Sequence, residues 1–157
     1  MCFSGELGHR AQEPFLPDLL ARASRALVQG FAEELRIRGT SVPVWRVMAA
    51  LCAEPRQTVS ALAEASLLQQ PTLTKLLDRM VRDGIVTRTQ DERDRRVVRV
   101  VLTPEGKAKA AELMAAAEQY EAQILARHPQ AEGIRAVLRE IIAGFGPARR
   151  ARGGGGA

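Results

Sequence analysis

Apolar residues recur every three or four positions through most of the chain and switch to alternation only once, over residues 85–102, a pattern that predicts helices interrupted by one β-hairpin. Leu20, Ala23, Leu27, Phe31 and Leu35 mark the stripe of a first helix that ends near Gly39. A second begins near Val42, with Val44, Val47, Met48, Leu51 and Cys52 on one face, and Pro55 closes it. Thr58 is placed to cap a third helix, TVSALAEAS, and a turn through Leu67 and Leu68 leads to Pro71, at a first helical position where its missing N–H costs nothing. The fourth helix, about Pro71 to Asp83, directs Leu73, Leu76, Leu77, Met80 and Val81 inward, and Gly84 suits a left-handed C-cap.

Ile85 to Thr89 and Val97 to Leu102 are β-rich runs flanking QDERDRR, which makes them the arms of an antiparallel hairpin. Thr103 and Pro104 then open a long fifth helix with Leu113, Ala117, Tyr120 and Ile124 in register. A sixth carries Ile134, Val137, Leu138, Ile141, Ile142 and Phe145. Two short helices, a strand, an arginine-loaded tip and a returning strand that launches another helix are the order of a winged helix-turn-helix. The expected fold is therefore mainly α with a small β-hairpin wing. A lone winged-helix core has no use for about fifty further apolar-striped residues, and readers of palindromic DNA use two-fold symmetry, so the terminal helices are expected to form a dimerisation bundle. The alternative is a monomer whose terminal helices pack on its own core. The chain thus divides into a flexible N-terminus (1–15), a dimerisation helix (16–40), a DNA-binding lobe (41–103), C-terminal dimerisation helices (104–146) and a disordered Arg/Gly tail (147–157).

At 100° per residue, Pro71, Lys75, Asp78 and Arg82 fall opposite the leucine stripe of the fourth helix, with Thr72, Thr74 and Arg79 on its flanks. Gln69, Gln70, Thr72, Thr74 and Lys75 form a compact set at its N-terminal half, the part that enters a major groove. Glutamine pairs with adenine, lysine with guanine or phosphate, and threonine with a base edge or a thymine methyl. The plain alternative is the solvated face of an amphipathic helix. Asp78 fits that alternative better, because phosphates repel it unless Lys75 or Arg82 neutralises it. In the hairpin tip, Arg93, Arg95 and Arg96 are matched by Asp91, Glu92 and Asp94, so bulk attraction cannot explain DNA contact. Geometry can: an Asp two residues before an Arg braces the loop and aims the guanidinium at a narrow minor groove. Otherwise the tip is a solvated turn held by ion pairs of little energetic value.

Composition agrees with this picture but adds little to it. A chain of 157 residues with 46% hydrophobic and 4% aromatic residues suits one helical domain with a real core. The formal charge is +5, but Arg149, Arg150 and Arg152 sit in the tail, and removing those three leaves +2 for the body. Only the local placement of charge therefore argues for DNA. No apolar run approaches the roughly 20 residues that span a bilayer, and MCFSGELGHRAQEP lacks the apolar core of a signal peptide. Two distant cysteines make no disulfide framework, so the expected setting is the reducing cytoplasm.

DERDRRVVRVVLTPEG, preceded by LTKLLDRMVRDGIVTR, resembles the wing and recognition helix of the MarR family of bacterial transcription regulators, over about Leu16 to Phe145. The resemblance implies a homodimer on duplex DNA with a palindromic operator. In it Arg96 enters the minor groove and Asp94 holds the loop. It further implies a repressor released by a small, often aromatic effector bound between the dimer region and the DNA-binding lobe, with Trp45, Arg46 and Met48 near that pocket. Packing in the core is the competing role for Trp45 and Met48, and a surface ion pair for Arg46.

Other functions find less in the chain. The first long helix, PFLPDLLARASRAL, lacks the reactive cysteine of the oxidant-sensing branch; Cys2 lies far upstream, and Cys52 falls on an apolar stripe where burial would make a thiol inert. His9 and His128 are isolated, and no nucleophile has an evident base nearby, so no enzyme, metal site or cofactor is expected. A constitutive DNA binder without an effector and a winged-helix module for protein contacts remain compatible with the fold.

Overall fold

The computed structural model describes residues 14–92 and 94–145. The expected flexible N-terminus up to residue 13, Cys2, Arg93 and the Arg/Gly tail from 146 on lie outside the described residues. Among those described, the order is α1 (Leu16–Ile37), α2 (Val42–Ala53), β1 (Gln57–Thr58), α3 (Val59–Ser66), α4 (Gln70–Arg82), β2 (Val86–Gln90), β3 (Val98–Leu102), α5 (Pro104–Arg127) and α6 (Ala131–Phe145). Two compact units divide inside α5, one up to Ala116 and one from Ala117 on.

Local chemistry explains most boundaries. Thr58 caps α3 by accepting the Ala61 N–H at 3.2 Å. Leu67 ends that helix at φ +57, and the Leu68 N–H closes on the Ala63 carbonyl at 3.0 Å. Gly84, at φ +71, supplies the left-handed turn between α4 and β2. The Thr103 hydroxyl accepts the Gly106 N–H at 3.0 Å and donates to the Gly84 carbonyl at 2.5 Å, so the cap of α5 also fastens the end of α4. Pro71 stands in the first turn of α4 behind Gln70, one position later than the sequence reading puts it.

The core of the first unit is assembled from Phe31 and Leu35 of α1, Val47, Met48 and Leu51 of α2, Leu62 of α3, and Leu73, Leu76, Leu77 and Met80 of α4. Val86 and Val100 of the sheet and Leu113 of α5 complete it. The wing is a three-stranded antiparallel sheet, ordered β1-β3-β2, rather than a bare hairpin. Gln57 pairs with Val100, and Gln90 with Val98, so β3 is flanked on both sides. The extra strand escapes periodicity because it has only two residues. Its Gln57 is buried, and the side-chain amide donates to the carbonyls of Ala50 at 2.7 Å and Glu54 at 2.9 Å, closing the open end of α2.

Two expected core positions face outward. Val81 is 40% exposed, because at 100° per residue it falls about 80° from Leu73, at the margin of the stripe. Cys52 is exposed, since the buried arc of α2 runs through Val47, Met48, Ala50 and Leu51, and Cys52 lies about 120° from its middle. The burial argument for an inert Cys52 thiol therefore fails. The N-terminal half of α1 leaves Leu16, Leu19 and Leu27 exposed. In the second unit α6 buries no residue, with Ile134, Val137, Ile142 and Phe145 open to solvent. None of the helices among the described residues is long and apolar enough to cross a membrane.

Gly106 is a point where backbone meets backbone. A β-carbon there would drive into the Ile85 carbonyl oxygen, so one backbone segment would have to shift. Gly106→Ala is expected to destabilise the protein by about 1–3 kcal/mol, as overpacking does in tight cores; urea unfolding checks this, and an unchanged midpoint would show that the α5–β2 approach can relax.

Candidate nucleic-acid interface

Burial of Leu73, Leu76, Leu77 and Met80 leaves α4 only one way to face, so Gln69, Gln70, Thr72, Thr74, Lys75 and Arg79 are all exposed on its outer side. The set is partly organised. Gln70 Nε2 donates to Ser60 Oγ at 2.8 Å, linking α4 to α3, and the Thr74 hydroxyl donates to the Gln70 carbonyl at 2.9 Å. Gln70 keeps its side-chain carbonyl and a second amide hydrogen for a base edge, and Thr74 keeps acceptor capacity. Gln69 is the N-cap residue, and its side chain makes no capping bond.

The hairpin tip is built from short-range hydrogen bonds. Asp94 Oδ1 accepts the Arg96 N–H at 3.0 Å, and the Asp94 N–H donates to Asp91 Oδ1 at 3.3 Å. The Val97 N–H closes on the Asp94 carbonyl, and the Asp91 N–H on the Val97 carbonyl, both at 2.9 Å. Asp94 therefore braces the Arg96 backbone, leaving the Arg95 and Arg96 side chains exposed. No ion pair among the described residues engages Lys75, Arg79, Arg95 or Arg96. These cations are thus available to a polyanion without first breaking an internal pair.

Asp78 is neutralised from elsewhere than expected. Its partner is neither Lys75 nor Arg82 but Arg88 of β2, at 2.7 Å, so the pair ties the outer helix to the wing. Sequence reasoning could not find it, because the partners are joined through the turn at Gly84 and not along one helix. Asp91, Arg99 and Arg56, at the root of the wing, were missed for a similar reason: Arg99 donates to the Asp91 carboxylate and, at 2.9 Å, to the Arg56 carbonyl, across 43 positions of chain. These residues line an open cleft of about 250 Å³ together with Glu92. Of the residues expected near an effector, Trp45 is half-buried and packs edge-on against Phe31, with ring centroids 5.3 Å apart. Arg46 is half-buried, and Met48 is a core residue at 1% exposure.

An exposed polar helix presented by a helix-turn-helix, beside a three-stranded wing with unpaired arginines at its tip, defines a winged-helix DNA-binding protein. The MarR family profile matches residues 41–98, from Ser41, just before α2, to the first residue of β3. The homoprotocatechuate degradative operon repressor of Escherichia coli is 30% identical over 128 residues, covering 79% of this chain and 85% of the repressor. A MarR family transcriptional regulator from Silicibacter pomeroyi DSS-3 superposes with a TM-score of 0.76 at 35% identity, covering 84% of this chain and 96% of that one. Bordetella bronchiseptica BpsR, whose DNA binding is regulated by 6-hydroxynicotinic acid, shares the fold with a TM-score of 0.70 at 24% identity, over 80% of this chain and 97% of its own. This chain belongs to the MarR family, DNA-binding transcription regulators rather than enzymes.

Because Asp94 holds the Arg96 backbone, Asp94→Ala is expected to loosen the tip, a loss that outweighs the added attraction for DNA from removing one negative charge. Affinity for a specific duplex should fall by about 0.5–1.5 kcal/mol, the worth of one hydrogen bond, with little change in Tm. Fluorescence anisotropy beside a thermal scan checks both; a variant that binds better, as mere removal of a negative charge would produce, contradicts the bracing role.

Proposed function

We propose that the protein is a homodimeric, sequence-specific repressor. It places α4 in the major groove of each half of a palindromic operator and the wing tip, through Arg96, in the flanking minor groove. The observation that carries this reading is the outer face of α4, exposed and tied to the wing by the Arg88–Asp78 pair, so that the two reading elements are presented side by side. Gln69, Gln70, Thr72 and Thr74 are then the base-edge candidates, and Lys75, Arg79, Arg93 and Arg95 the candidates for phosphate. Dimerisation is supported by the apolar positions left open on α1 and α6, which in a soluble protein mark a surface for another chain. The reader of such DNA works in the cytoplasm.

Release by a small aromatic ligand is part of the same proposal. The repressor of the homoprotocatechuate operon is similar over most of its length, and BpsR shows an aromatic acid acting on DNA binding in this fold. The half-buried Trp45 and Arg46 offer a ring and a cation at the α1–α2 junction, a suitable pair for an aromatic carboxylate. A ligand there acts only through a difference in affinity between the DNA-competent and incompetent states.

Anisotropy on a duplex from immediately upstream of the protein's own gene, against an unrelated duplex of equal length at near-physiological salt, tests the central claim. The expected result is at least about a thousandfold preference for its own DNA; equal, weak binding to both would remove autoregulation and leave a distant operator or another partner. Lys75→Ala should weaken both duplexes alike and flatten the salt slope by about 0.9. Ile142→Glu, a change at a side chain 69% exposed within its own chain, should turn the dimer into a folded monomer in sedimentation velocity. A persistent dimer would place the interface away from α6.

A further inference from the structure

The root of the wing carries a feature that the groove-reading residues do not explain. Arg99 sits in the middle of β3, paired with Thr58 on one side and Thr89 on the other, and its side chain is only 26% exposed. Its Nε donates to Asp91 Oδ2 and its Nη1 to the Arg56 carbonyl at 2.9 Å. The Asp91 side chain, 15% exposed, uses its other oxygen to accept the Asp94 N–H at 3.3 Å. Arg56 holds φ +64, a left-handed conformation uncommon outside Gly, Asn and Asp, and presents its carbonyl to Arg99 from there. Arg56 also faces Glu92 across the cleft, Nη1 to Oε1 at 3.8 Å.

We infer that Arg99 is a positioning residue for DNA binding: its guanidinium clamps the base of the wing to the segment that follows α2, and so sets where Arg96 meets the minor groove. The connection is continuous. The Arg96 N–H is held by Asp94, Asp94 by Asp91, and Asp91 by Arg99; Arg99 holds Arg56, and the next residue, Gln57, closes the end of α2. Without the clamp, the part of the hairpin beyond the Gln90–Val98 pair keeps its own turn and the long, exposed Arg56–Glu92 ion pair, and a two-stranded ribbon twists readily. Only arginine serves this role. Its planar fork reaches a carboxylate and a carbonyl from one rigid group, whereas the single ammonium of lysine cannot span both.

This inference rests on the proposed wing contact, and the test separates the two. Affinity is measured by anisotropy on a duplex that the full-length chain has enriched from a random-sequence pool. The proteins are wild type, Arg99→Ala, Arg99→Lys, Arg96→Ala and the Arg96→Ala/Arg99→Ala double variant, each with its salt dependence and its Tm. The clamp predicts about a tenfold loss for Arg99→Ala with a salt slope flattened no more than in Arg96→Ala, little recovery in Arg99→Lys, and no further loss in the double variant beyond Arg96→Ala. Because Arg99→Lys keeps the charge and most of the bulk, it decides the matter even where Arg99→Ala folds poorly. Full activity in Arg99→Lys, losses that multiply in the double variant, or a slope flattened by about 0.9 beyond that of Arg96→Ala would each overturn the clamp and make Arg99 a direct phosphate contact or a bystander. No loss in Arg96→Ala would instead overturn the wing contact itself, and the clamp with it.

Discussion

Burial of one face of α4 is the constraint from which the rest of the site follows. Leu73, Leu76, Leu77 and Met80 pack inward, each worth roughly 1.5–3 kcal/mol when removed from water, and a rigid helix that commits one side to the core must present the other. The polar residues between the leucines are thereby held outward at fixed spacing, with no energetic cost of their own. Gly84 and Thr103 then decide where the chain goes next: one reverses it after α4, and the other closes on the reversal while starting α5. Helix and wing are joined at this junction by hydrogen bonds as well as packing.

Charge in the wing works by placement and not by amount. Arginines and carboxylates balance in the tip, yet they are not used alike. Asp91 and Asp94 bind backbone N–H groups and Arg99, while the Arg95 and Arg96 side chains are exposed and make no ion pair among the described residues. The two carboxylates are thus taken up by hydrogen bonds, and the two arginines stay open at the tip beside the exposed Glu92. The Arg88–Asp78 pair applies the same logic on the other side, converting a carboxylate that would repel phosphate into a strut between α4 and β2.

The apolar side chains at the two ends of the chain are the counterpart of this economy. α6 has the strong stripe of a packed helix and buries nothing within its own chain, and the first half of α1 is similarly open. Exposed apolar surface of that kind marks an interaction site, which is why the terminal helices belong to an assembly in the proposed function, while Phe31, Leu35 and Leu113 of α1 and α5 are already used in the core of the first unit.

The sequence by itself determined the helices, the hairpin, the caps at Thr58, Gly84 and Thr103, and the outward set on α4. All of these depend on periodicity or on contacts a few residues apart, so a local pattern carries them. Tertiary structure alone decided what depends on distant segments meeting. β1 is too short for a pattern and exists because β3 offers it an edge; Gln57 is buried because it closes α2; Arg99 has a role because Arg56, far back in the chain, presents a carbonyl to it. Cys52 shows the limit most simply: it shares a stripe with core residues, yet it is exposed, because a helix wheel gives angles while only the neighbours decide which arc is covered.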